Sequence, residues 1–437
     1  MKVIDLVIDA RWVVPVEPAE RVLEHSSVAV DAGRILEVLP SAEVDARYAP
    51  RDRVSGPEHV LIPGLVNSHT HAAMTLMRGL ADDLPLMRWL REHIWPAETK
   101  LVSPEFVYDG TLLAAAEMLR GGVTCVNEMY FYPDAAARAF TEAGMRAAIG
   151  IIAIEFPTRY ATDPDDYLAK GLAVRDRYQD EPRISFCMAP HAPYTVADPT
   201  FTRMIAFAEE LDLPIHIHLH ETRDEIEQSI AQHGVRPIER LDRLGLLSPR
   251  LIAVHAVHLT AHEIERLGRA GASVAHCPSS NLKLASGFAP VAALAAAGVN
   301  VALGTDGAAS NNRLDVFQEM RTAALLAKAV ANDAQVLPAH AALAAATLGG
   351  ARALGLERSI GSIEPGKQAD LCLVSLADLA LRPHYDVISQ LVYACGREQV
   401  SDVWVDGTRR VASGVLLGNF FGALENRIFL WQNKVLG

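Results

Sequence analysis

The chain has few cysteines and no long apolar run, and both absences narrow the classes of protein it can belong to. Its 437 residues include five cysteines, which are scattered and form no C-x-x-C pair: Cys125, Cys187, Cys277, Cys372 and Cys395. Such a set is typical of reduced, buried thiols in a cytoplasmic protein. No stretch of 18 residues is free of polar interruption, and Asp5 and Asp9 stand where a signal peptide would be apolar. We therefore expect neither secretion nor a membrane span.

Basic residues are outnumbered by acidic ones. The 40 Lys and Arg residues stand against 53 Asp and Glu, which gives a formal net charge of -13. A chain this acidic repels phosphate backbones and anionic lipid, so we expect it to bind neither nucleic acid nor membranes. Half of the residues (50%) are hydrophobic and 21% are charged. This composition fits a globular protein with a sizeable core, built as one large domain or two.

Short apolar runs near both ends of the chain indicate β-strands. Residues 1–57 contain runs such as SSVAVDAGRILEVL, and the C-terminal region contains VSDVWVDGTRRVASG. In the second of these, Asp406 and Gly407 lie between two β-rich stretches and predict a type I′ hairpin. Residues 58–361 instead alternate brief apolar runs with longer Ala-, Leu-, Glu- and Arg-rich stretches of helical period. The contrast predicts a central part that differs in architecture from the two ends.

The central part contains eight apolar runs that end in polar residues: LIPGLVNSHTH, VTCVNEMY, MRAAIGIIAIEF, ISFCMAPHAPYT, LPIHIHLHE, LIAVHAVH, ASVAHCPSSN and VNVALGTDG. Each is followed by a stretch able to form a helix, such as MRWLREHIWPAE. Eight β-then-α units in roughly 300 residues predict an α/β fold, a (β/α)8 TIM barrel. A doubly wound parallel sheet remains the alternative, although no G-x-G-x-x-G follows the first run. In a barrel, the polar strand ends gather at one face.

Candidate metal ligands stand at the ends of the first and eighth runs. His69 and His71 occupy alternate positions in NSHTH, so both imidazoles point the same way from a strand. Neutral imidazole is a good ligand for Zn²⁺ or Fe²⁺, so this pair forms half of a metal site. Asp306 ends the eighth run. A closed barrel brings that run beside the first, so the carboxylate of Asp306 would join the two histidines.

The fifth and sixth runs supply further histidines. The fifth places three of them on one face of a strand: His216, His218 and His220. Same-face residues step about 6.5 Å along a strand, so one of the three reaches the metal, and the run alone does not say which. The sixth run adds His255 and His258. Three histidines and Asp306 leave one position for water, which marks a catalytic rather than a structural metal site.

Taken together, these residues resemble the amidohydrolase superfamily, whose members carry H-x-H on strand one, His on strands five and six, and Asp on strand eight. Several longer sequence motifs are more specific to one subgroup of this superfamily: PGLVNSHTHAAMTLMRG, MAPHAPYT, IHLHE, SSNLKLASG, GTDGAASNN and EPGKQADL. They resemble the 5-methylthioadenosine/S-adenosylhomocysteine deaminases and their chlorohydrolase and guanine-deaminase relatives over almost the whole chain. The resemblance implies a catalytic barrel over residues 58–361 and a small β-sandwich built from residues 1–57 and 362–437.

The resemblance also implies a ligand set. One divalent metal ion, Zn²⁺ or else Fe²⁺, would be held by four residues: His69, His71, His218 and Asp306. His218 is chosen because the family's strand-five pattern is His-x-x-Glu, which here ends at Glu221. A single metal is implied because strand four ends in His191, where binuclear relatives have a lysine.

In the deamination that the family carries out, each remaining residue has an implied role. Glu221 would shuttle protons, and His255 would position and polarise the attacking water. Asp306 would accept the proton of that water. Glu98, in WPAE, would grip the ribose hydroxyls, and His191 would contact the purine nucleoside substrate.

Two more residues are expected near the tail of the substrate. Arg159, in EFPTRYATDP after the third run, is the candidate to bind the carboxylate of S-adenosylhomocysteine. Some family members carry an arginine on the third strand itself, and here Ile151 is near that place. Trp89, in LPLMRWLREHIW, either forms an apolar lid over a thioether tail or packs in the core.

Three functions are compatible with these patterns. The first is a hydrolase, a deaminase that converts 5′-methylthioadenosine, S-adenosylhomocysteine or both to the inosine derivative and ammonia. The second is a hydrolase that uses the same metal but removes ammonia or chloride from guanine, another purine or a triazine. Glu98 favours a ribosyl substrate over a free base, and so favours the first function. The third is a non-catalytic scaffold, which predicts broken ligand positions, and none is broken. The apolar C-terminal segment GNFFGALENRIFLW is expected to pack against the barrel or against a partner in a homo-oligomer.

Overall fold

The computed structural model describes residues 1–418 and 422–436. The strands are β1 (Lys2–Val13), β2 (Leu23–Asp31), β3 (Arg34–Pro40), β4 (Tyr48–Pro63), β5 (Leu65–Thr70), β6 (Val123–Glu128), β7 (Arg146–Ala153), β8 (Ile184–Pro190), β9 (Ile215–Leu219), β10 (Leu251–His255), β11 (Ser273–His276), β12 (Asn300–Leu303), β13 (Leu371–Ser375), β14 (Val400–Val405), β15 (Thr408–Ala412) and β16 (Val415–Leu416).

The α-helices are α1 (Val44–Arg47), α2 (Leu86–Trp89), α3 (Trp95–Leu101), α4 (Pro104–Arg120), α5 (Pro133–Ala143), α6 (Pro164–Arg177), α7 (Asp198–Glu210), α8 (Arg223–His233), α9 (Pro237–Arg243), α10 (Ala261–Ala270), α11 (Pro278–Lys283), α12 (Val291–Ala296), α13 (Ala308–Asn311), α14 (Val316–Ala331), α15 (Ala339–Ala345), α16 (Leu348–Ala353), α17 (Val387–Tyr393) and α18 (Leu424–Leu436). Short 3₁₀ helices cover Ser41–Glu43, Ala72–Met77, Leu379–Leu381 and Arg397–Gln399. A π-helical turn, Leu90–Ile94, connects α2 to α3.

The eight central strands form a parallel barrel. They pair in chain order from β5 to β12, and each strand lies in one of the eight apolar runs. The last strand lies beside the first, and the backbone N–H of Asp306 donates to the carbonyl of His69 between them (3.0 Å). The predicted (β/α)8 barrel is therefore confirmed. The doubly wound alternative is wrong, because the sheet returns to its first strand.

The first apolar run is divided between two sheets at Gly64. Strand β4 ends at Pro63 in one sheet and β5 begins at Leu65 in the other. A Cβ atom on Gly64 would lie 2.1 Å from Oγ1 of Thr124, so only glycine lets the chain pass this close to β6. The run is longer than one strand because it leads the chain from the terminal sheet into the barrel.

The second sheet combines both ends of the chain. Its strand order is β16-β15-β14-β13-β4-β1-β2-β3, so β13 from the C-terminal region pairs with β4 from the N-terminal region. Asp406 and Gly407 connect β14 to β15 with φ angles of 49° and 69°. Two consecutive left-handed residues are the geometry of a type I′ turn, which confirms the predicted hairpin. Strand β4 continues to Pro63, whereas the predicted division falls between residues 57 and 58, and the division into two domains stays a prediction.

Some of the helices around the barrel begin at polar caps, as α6 and α10 show. Helix α6 follows Asp163, whose carboxylate accepts a hydrogen bond from the backbone of Asp166 (2.9 Å). Helix α10 begins with a capping box formed by Thr260 and Glu263. Such caps satisfy N–H groups that have no partner inside the helix. In these two helices the caps fix where the preceding strand-to-helix loop ends, and the loop before α6 carries Arg159 of the candidate site.

The C-terminal helix α18 packs against α4 of the barrel. Asp109 of α4 accepts hydrogen bonds from Nη1 of Arg427 (2.7 Å) and Nε1 of Trp431 (2.8 Å). This is the barrel contact, one of the two alternatives for this segment, whose residues 419–421 lie outside the described residues. All five cysteines are buried and free. No helix in the described ranges is long and apolar enough to cross a membrane.

Candidate active site

The structure brings His69, His71 and Asp306 together at one end of the barrel. Oδ1 of Asp306 lies 3.4 Å from Nε2 of His69 and 3.3 Å from Nε2 of His71. The other carboxylate oxygen of Asp306 accepts hydrogen bonds from the hydroxyls of Ser280 (2.6 Å) and Ser310 (2.9 Å). The carboxylate is therefore held in place, with one oxygen directed at two imidazoles.

His218 is the histidine of the fifth strand that joins this cluster. Its Nε2 lies 3.3 Å from Nε2 of His71. His216, two residues earlier, instead contacts Nδ1 of His69 through its Nε2 (2.9 Å). His220 faces away from the cluster, because its Nε2 accepts from the backbone of Ile238 (3.1 Å). The three-dimensional arrangement thus separates three histidines that the sequence pattern left equivalent.

The cluster fits a divalent metal ion. Nδ1 of His71 donates to the carbonyl of Met129 (2.6 Å) and Nδ1 of His218 donates to that of His191 (2.6 Å), so in both rings Nε2 is left as a bare acceptor. Nε2 of His69 is buried without a hydrogen-bond partner among the described residues. The ligand atoms of His69, His71 and Asp306 lie within 4.8 Å of one another. Imidazole nitrogens and a carboxylate oxygen are the donors that Zn²⁺ and Fe²⁺ bind.

Burial sets the charge state of these groups. It lowers the pKa of His69 to about 4 and holds the pKa of His218 well below its usual range, so both rings are neutral and able to act as ligands near pH 7. Burial would raise the pKa of Asp306, but the nearby imidazoles, foremost that of His69, outweigh it and hold that pKa well below its usual range. The site therefore presents the negative charge of Asp306 and the neutral nitrogens of His69 and His218 to a cation.

Glu221 and His255 stand next to the cluster. Oε2 of Glu221 lies 3.8 Å from Nε2 of His255, and Nδ1 of His255 is bonded to Oδ1 of Asn281 (2.8 Å). Burial raises the pKa of Glu221. The backbone N–H groups of His220 and Glu221 both donate to the carboxylate of Glu225 (2.8 Å each), which fixes the turn that presents Glu221.

Asn281 and Glu225 are positioning residues that the sequence analysis missed. Asn281 lies in one quoted motif, as the asparagine of SSNLKLASG, whereas Glu225 lies four residues after Glu221 and outside the quoted motifs. Side chains that act through another residue carry no ligand or nucleophile spacing of their own. Only the distances in the folded chain distinguish them from ordinary polar residues.

A cavity of about 460 Å³ opens above the cluster. It is lined by all four predicted substrate-binding residues, Trp89, Glu98, Arg159 and His191. Much of the remaining wall is apolar and includes Leu86, Leu90, Ile94, Ile152, Ile154 and Phe156. His71, His218, Glu221, His255 and Asp306 also line this cavity, so the proposed chemistry and the proposed binding groups share one space.

Each of the four wall residues has a defined contact or burial. Oε1 of Glu98 accepts a hydrogen bond from the hydroxyl of Tyr130 (2.7 Å), and burial raises the pKa of Glu98 to about 7. Nδ1 of His191 is bonded to Oγ1 of Thr195 (2.9 Å). Nη1 of Arg159 donates to the carbonyl of Lys100 (3.0 Å). Trp89 is buried as well as lining the cavity, so its two predicted roles are not exclusive.

The position considered for an arginine on the third strand does not face the cavity. A Cβ atom on Gly171 of α6 would lie 2.4 Å from Cγ2 of Ile151, so the Ile151 side chain points to the helix layer. Its neighbour Ile152 lines the cavity instead. Alternate residues of a strand face opposite sides, and an arginine at position 151 would therefore point away from a substrate.

Comparison with known proteins adds a family to this geometry. A model of the amidohydrolase family matches residues 60–410. A 5-methylthioadenosine/S-adenosylhomocysteine deaminase of Teredinibacter turnerae is 50% identical over 410 residues, 94% of this chain and 93% of the relative. The deaminase of the same name from Saccharophagus degradans is 46% identical over 431 residues, 99% of this chain and 97% of the relative.

Comparison with solved structures agrees with the family match. A crystal structure of an adenosine deaminase from Xanthomonas campestris with bound zinc is 54% identical, has a TM-score of 0.98, and the match covers 99% of both chains. An atrazine chlorohydrolase from Arthrobacter aurescens complexed with zinc shares the fold at 23% identity, with a TM-score of 0.89 over 98% of this chain and 100% of the other. From the near full-length match and the His and Asp cluster at the strand ends, we conclude that the chain belongs to the amidohydrolase family.

Proposed function

We propose that the protein is a metal-dependent deaminase that converts 5′-methylthioadenosine, S-adenosylhomocysteine or both to the inosine derivative and ammonia. One observation carries the proposal: a single cavity is lined by His71, His218 and Asp306 of the cluster and also by Glu221 and Glu98. Relatives that bear this deaminase name are up to 50% identical over nearly the whole chain. The wall of the cavity is mostly apolar, which suits an adenosine with a thioether tail.

His69, His71, His218 and Asp306 would hold one divalent ion, and zinc is favoured because the similar Xanthomonas campestris structure contains it. When bound, the ion supplies a water activated for attack at neutral pH. His255, oriented by Asn281, would position that water beside C6 of the purine. A carboxylate oxygen of Asp306 would accept the proton that the water loses as its oxygen bonds to C6.

Glu221 would then move protons on the substrate. Burial raises the pKa of its carboxyl and so favours the protonated form, and Glu221 would donate a proton to the ring nitrogen next to C6 as the oxygen adds. The amine then leaves C6 as ammonia after taking up a proton, and a C6 carbonyl remains. The net reaction consumes one water and releases one ammonia.

Glu98 and His191 would hold the nucleoside. Oε1 of Glu98 is occupied by the Tyr130 hydroxyl, so its other carboxylate oxygen is available to the ribose hydroxyls. His191 lies beside the cluster, with its backbone carbonyl bonded to His218, and its ring would contact the base. Trp89 would pack against the thioether tail.

The five free, buried thiols support a reducing compartment such as the cytoplasm.

The first experiment measures ammonia release and the change from adenine to hypoxanthine absorbance with zinc-loaded protein. The panel is methylthioadenosine, S-adenosylhomocysteine, adenosine, adenine and guanine. We expect turnover of the thioethers, its loss in His69→Ala, and a fall of 100-fold or more, on the order of a general acid–base contribution, in Glu221→Gln. Turnover of guanine or adenine alone would contradict the proposal and favour a free-base deaminase.

A second experiment tests Arg159 as the group that binds the carboxylate of S-adenosylhomocysteine. Arg159 lines the cavity, and its guanidinium donates one hydrogen bond to the carbonyl of Lys100, which leaves further N–H donors for an anion. Arg159→Ala should lower kcat/KM for S-adenosylhomocysteine by roughly 10- to 100-fold, the worth of a charge-assisted hydrogen bond, and spare methylthioadenosine. Arg159→Lys, which keeps the charge, is the matched control. Equal losses for both substrates would exclude this role.

A further inference from the structure

The three proposed ligand histidines differ in what holds their second ring nitrogen. Nδ1 of His71 and Nδ1 of His218 both donate to backbone carbonyls, each at 2.6 Å. Nδ1 of His69 instead meets Nε2 of His216 at 2.9 Å. A backbone carbonyl remains as an acceptor whatever residue is substituted, whereas a side-chain acceptor is lost when its residue is replaced. Among the three proposed ligand histidines, His69 is thus the one whose outer partner can be removed by a substitution.

The contact between the two rings crosses the interior of the barrel. β5 and β9 are four strands apart in an eight-strand order, and His69 and His216 are both 0% exposed. Their ring centroids are 4.9 Å apart, with planes at 72°. Residues 216 and 218 alternate on one strand, so His216 lies one layer deeper than His218 on the same face. His216 fills the barrel directly beneath the cluster.

The backbone of His69 is held in place by its neighbours, so only the orientation of its imidazole ring can vary. A Cβ atom on Gly304 would lie 2.8 Å from Cβ of His69, which shows how closely β12 approaches it. If Nε2 of His69 binds a metal, the neutral ring carries its proton on Nδ1. That proton has an acceptor only if Nε2 of His216 is bare. His216 then carries its own proton on Nδ1, which has no partner among the described residues.

We propose that His216 is a positioning residue for the metal centre: it accepts the hydrogen bond from Nδ1 of His69 and so directs Nε2 of His69 towards Asp306. Outer hydrogen bonds of this kind set the tautomer and orientation of a ligating histidine, and their loss typically costs 10- to 100-fold in metal affinity or activity. The proposal rests on the proposed function only in taking His69 as a ligand. It gives a role to a histidine that neither spacing nor motif assigns.

The test compares His216→Gln, which keeps an acceptor near the same place, with His216→Leu, which fills the space without one. His276→Leu is the matched control, because His276 is equally buried in the barrel wall (1% exposed) and has no side-chain hydrogen bond to a proposed ligand. Zinc affinity is measured by competition with a chelator, and the absorption spectrum of the Co²⁺-loaded protein reports ligand geometry. Both are recorded without substrate.

We expect His216→Leu to bind zinc 10- to 100-fold more weakly and to alter the Co²⁺ spectrum. His216→Gln should recover most of the affinity, and His276→Leu should keep it whatever its melting temperature. Equal losses in the two leucine variants, or full affinity in His216→Leu, would overturn the proposal. If His216→Leu does not fold, His216→Asn replaces it. The Asn side chain is one methylene shorter than that of Gln, so its amide lies farther from Nδ1 of His69. Equal zinc affinity in the Asn and Gln variants would overturn the proposal.

The outcome can be separated from that of the proposed function. A parent protein that binds zinc but deaminates no nucleoside would refute the proposed substrates and leave the affinity comparison valid. A parent protein that binds no zinc would overturn both proposals.

Discussion

Glu98 is the residue proposed to bind the ribose hydroxyls, and its charge depends on pH. Its carboxylate lies on the wall of the cavity, where Tyr130 donates to it at 2.7 Å. Burial disfavours the charged form and raises the pKa of Glu98 to about 7, although the Tyr130 hydrogen bond acts in the opposite direction. Glu98 is therefore mostly ionised only above about pH 7. An ionised carboxylate accepts hydrogen bonds from hydroxyls more strongly than a neutral carboxyl.

We expect the KM for methylthioadenosine to fall as the pH rises through about 7, because that is where Glu98 gains its charge. In Glu98→Gln the KM should be higher and should lose this dependence, since an amide does not titrate. Steady-state kinetics from pH 5.5 to 8.5 would measure both. A Gln variant with the pH profile of the parent would show that another group is responsible.

At the scale of single elements, α18 shows how a helix distant from the catalytic cluster is attached to the barrel. Its Trp431 is buried, packs edge-on against Phe106 at 5.3 Å and donates to Asp109. Phe429, on the same helix, is 62% exposed. Burial of a large aromatic ring supplies several kcal/mol, whereas an exposed ring supplies little. The helix is thus held mainly by the face that carries Trp431.

Trp431→Ala should destabilise the protein by about 3–5 kcal/mol, the usual cost of truncating a buried Trp, and leave Asp109 without one of its donors. Phe429→Ala is the matched control on the same helix and should change the stability by about 0.5 kcal/mol or less. Thermal or urea unfolding followed by circular dichroism would measure the difference. Similar effects of the two substitutions would mean that α18 is not held by this face.

At the scale of the whole molecule, a buried ion cluster connects the terminal sheet to the barrel. Arg146, at the start of β7, donates to both carboxylate oxygens of Asp370 (3.0 and 3.2 Å), which precedes β13. Asp370 is 3% exposed and also accepts from the backbone of Asp406 (2.9 Å). A buried carboxylate is tolerated only with such partners. The cluster therefore specifies how the two sheets are joined.

Arg146→Ala should destabilise the protein by about 3–5 kcal/mol, because it leaves the buried carboxylate of Asp370 without its cation. Arg177→Ala removes an exposed pair with Asp134, whose side chains are 63% and 46% exposed, and should cost about 1 kcal/mol or less. Denaturant unfolding of the two variants and the parent would measure both values. An Arg146 variant as stable as the Arg177 variant would show that the cluster contributes only specificity.

Much of the fold could be predicted from local pattern. Apolar runs of strand length that end in polar residues predicted the eight barrel strands, and Asp406 with Gly407 predicted the hairpin, because both signals are contained in a few consecutive residues. The division of the first run at Gly64 could not be predicted, since it depends on Thr124 of a distant strand. The outward direction of Ile151 likewise depends on strand phase relative to α6.

The sequence by itself determined the barrel, the polar strand ends and the residue types able to bind a metal, because each follows from periodicity and side-chain chemistry along a short segment. Only the tertiary structure decided which of His216, His218 and His220 meets His71, and that His216 contacts His69 across the barrel. It also decided that Asn281 and Glu225 orient His255 and the turn of Glu221. These assignments depend on distances between residues far apart in the chain, and such distances exist only once the barrel has closed.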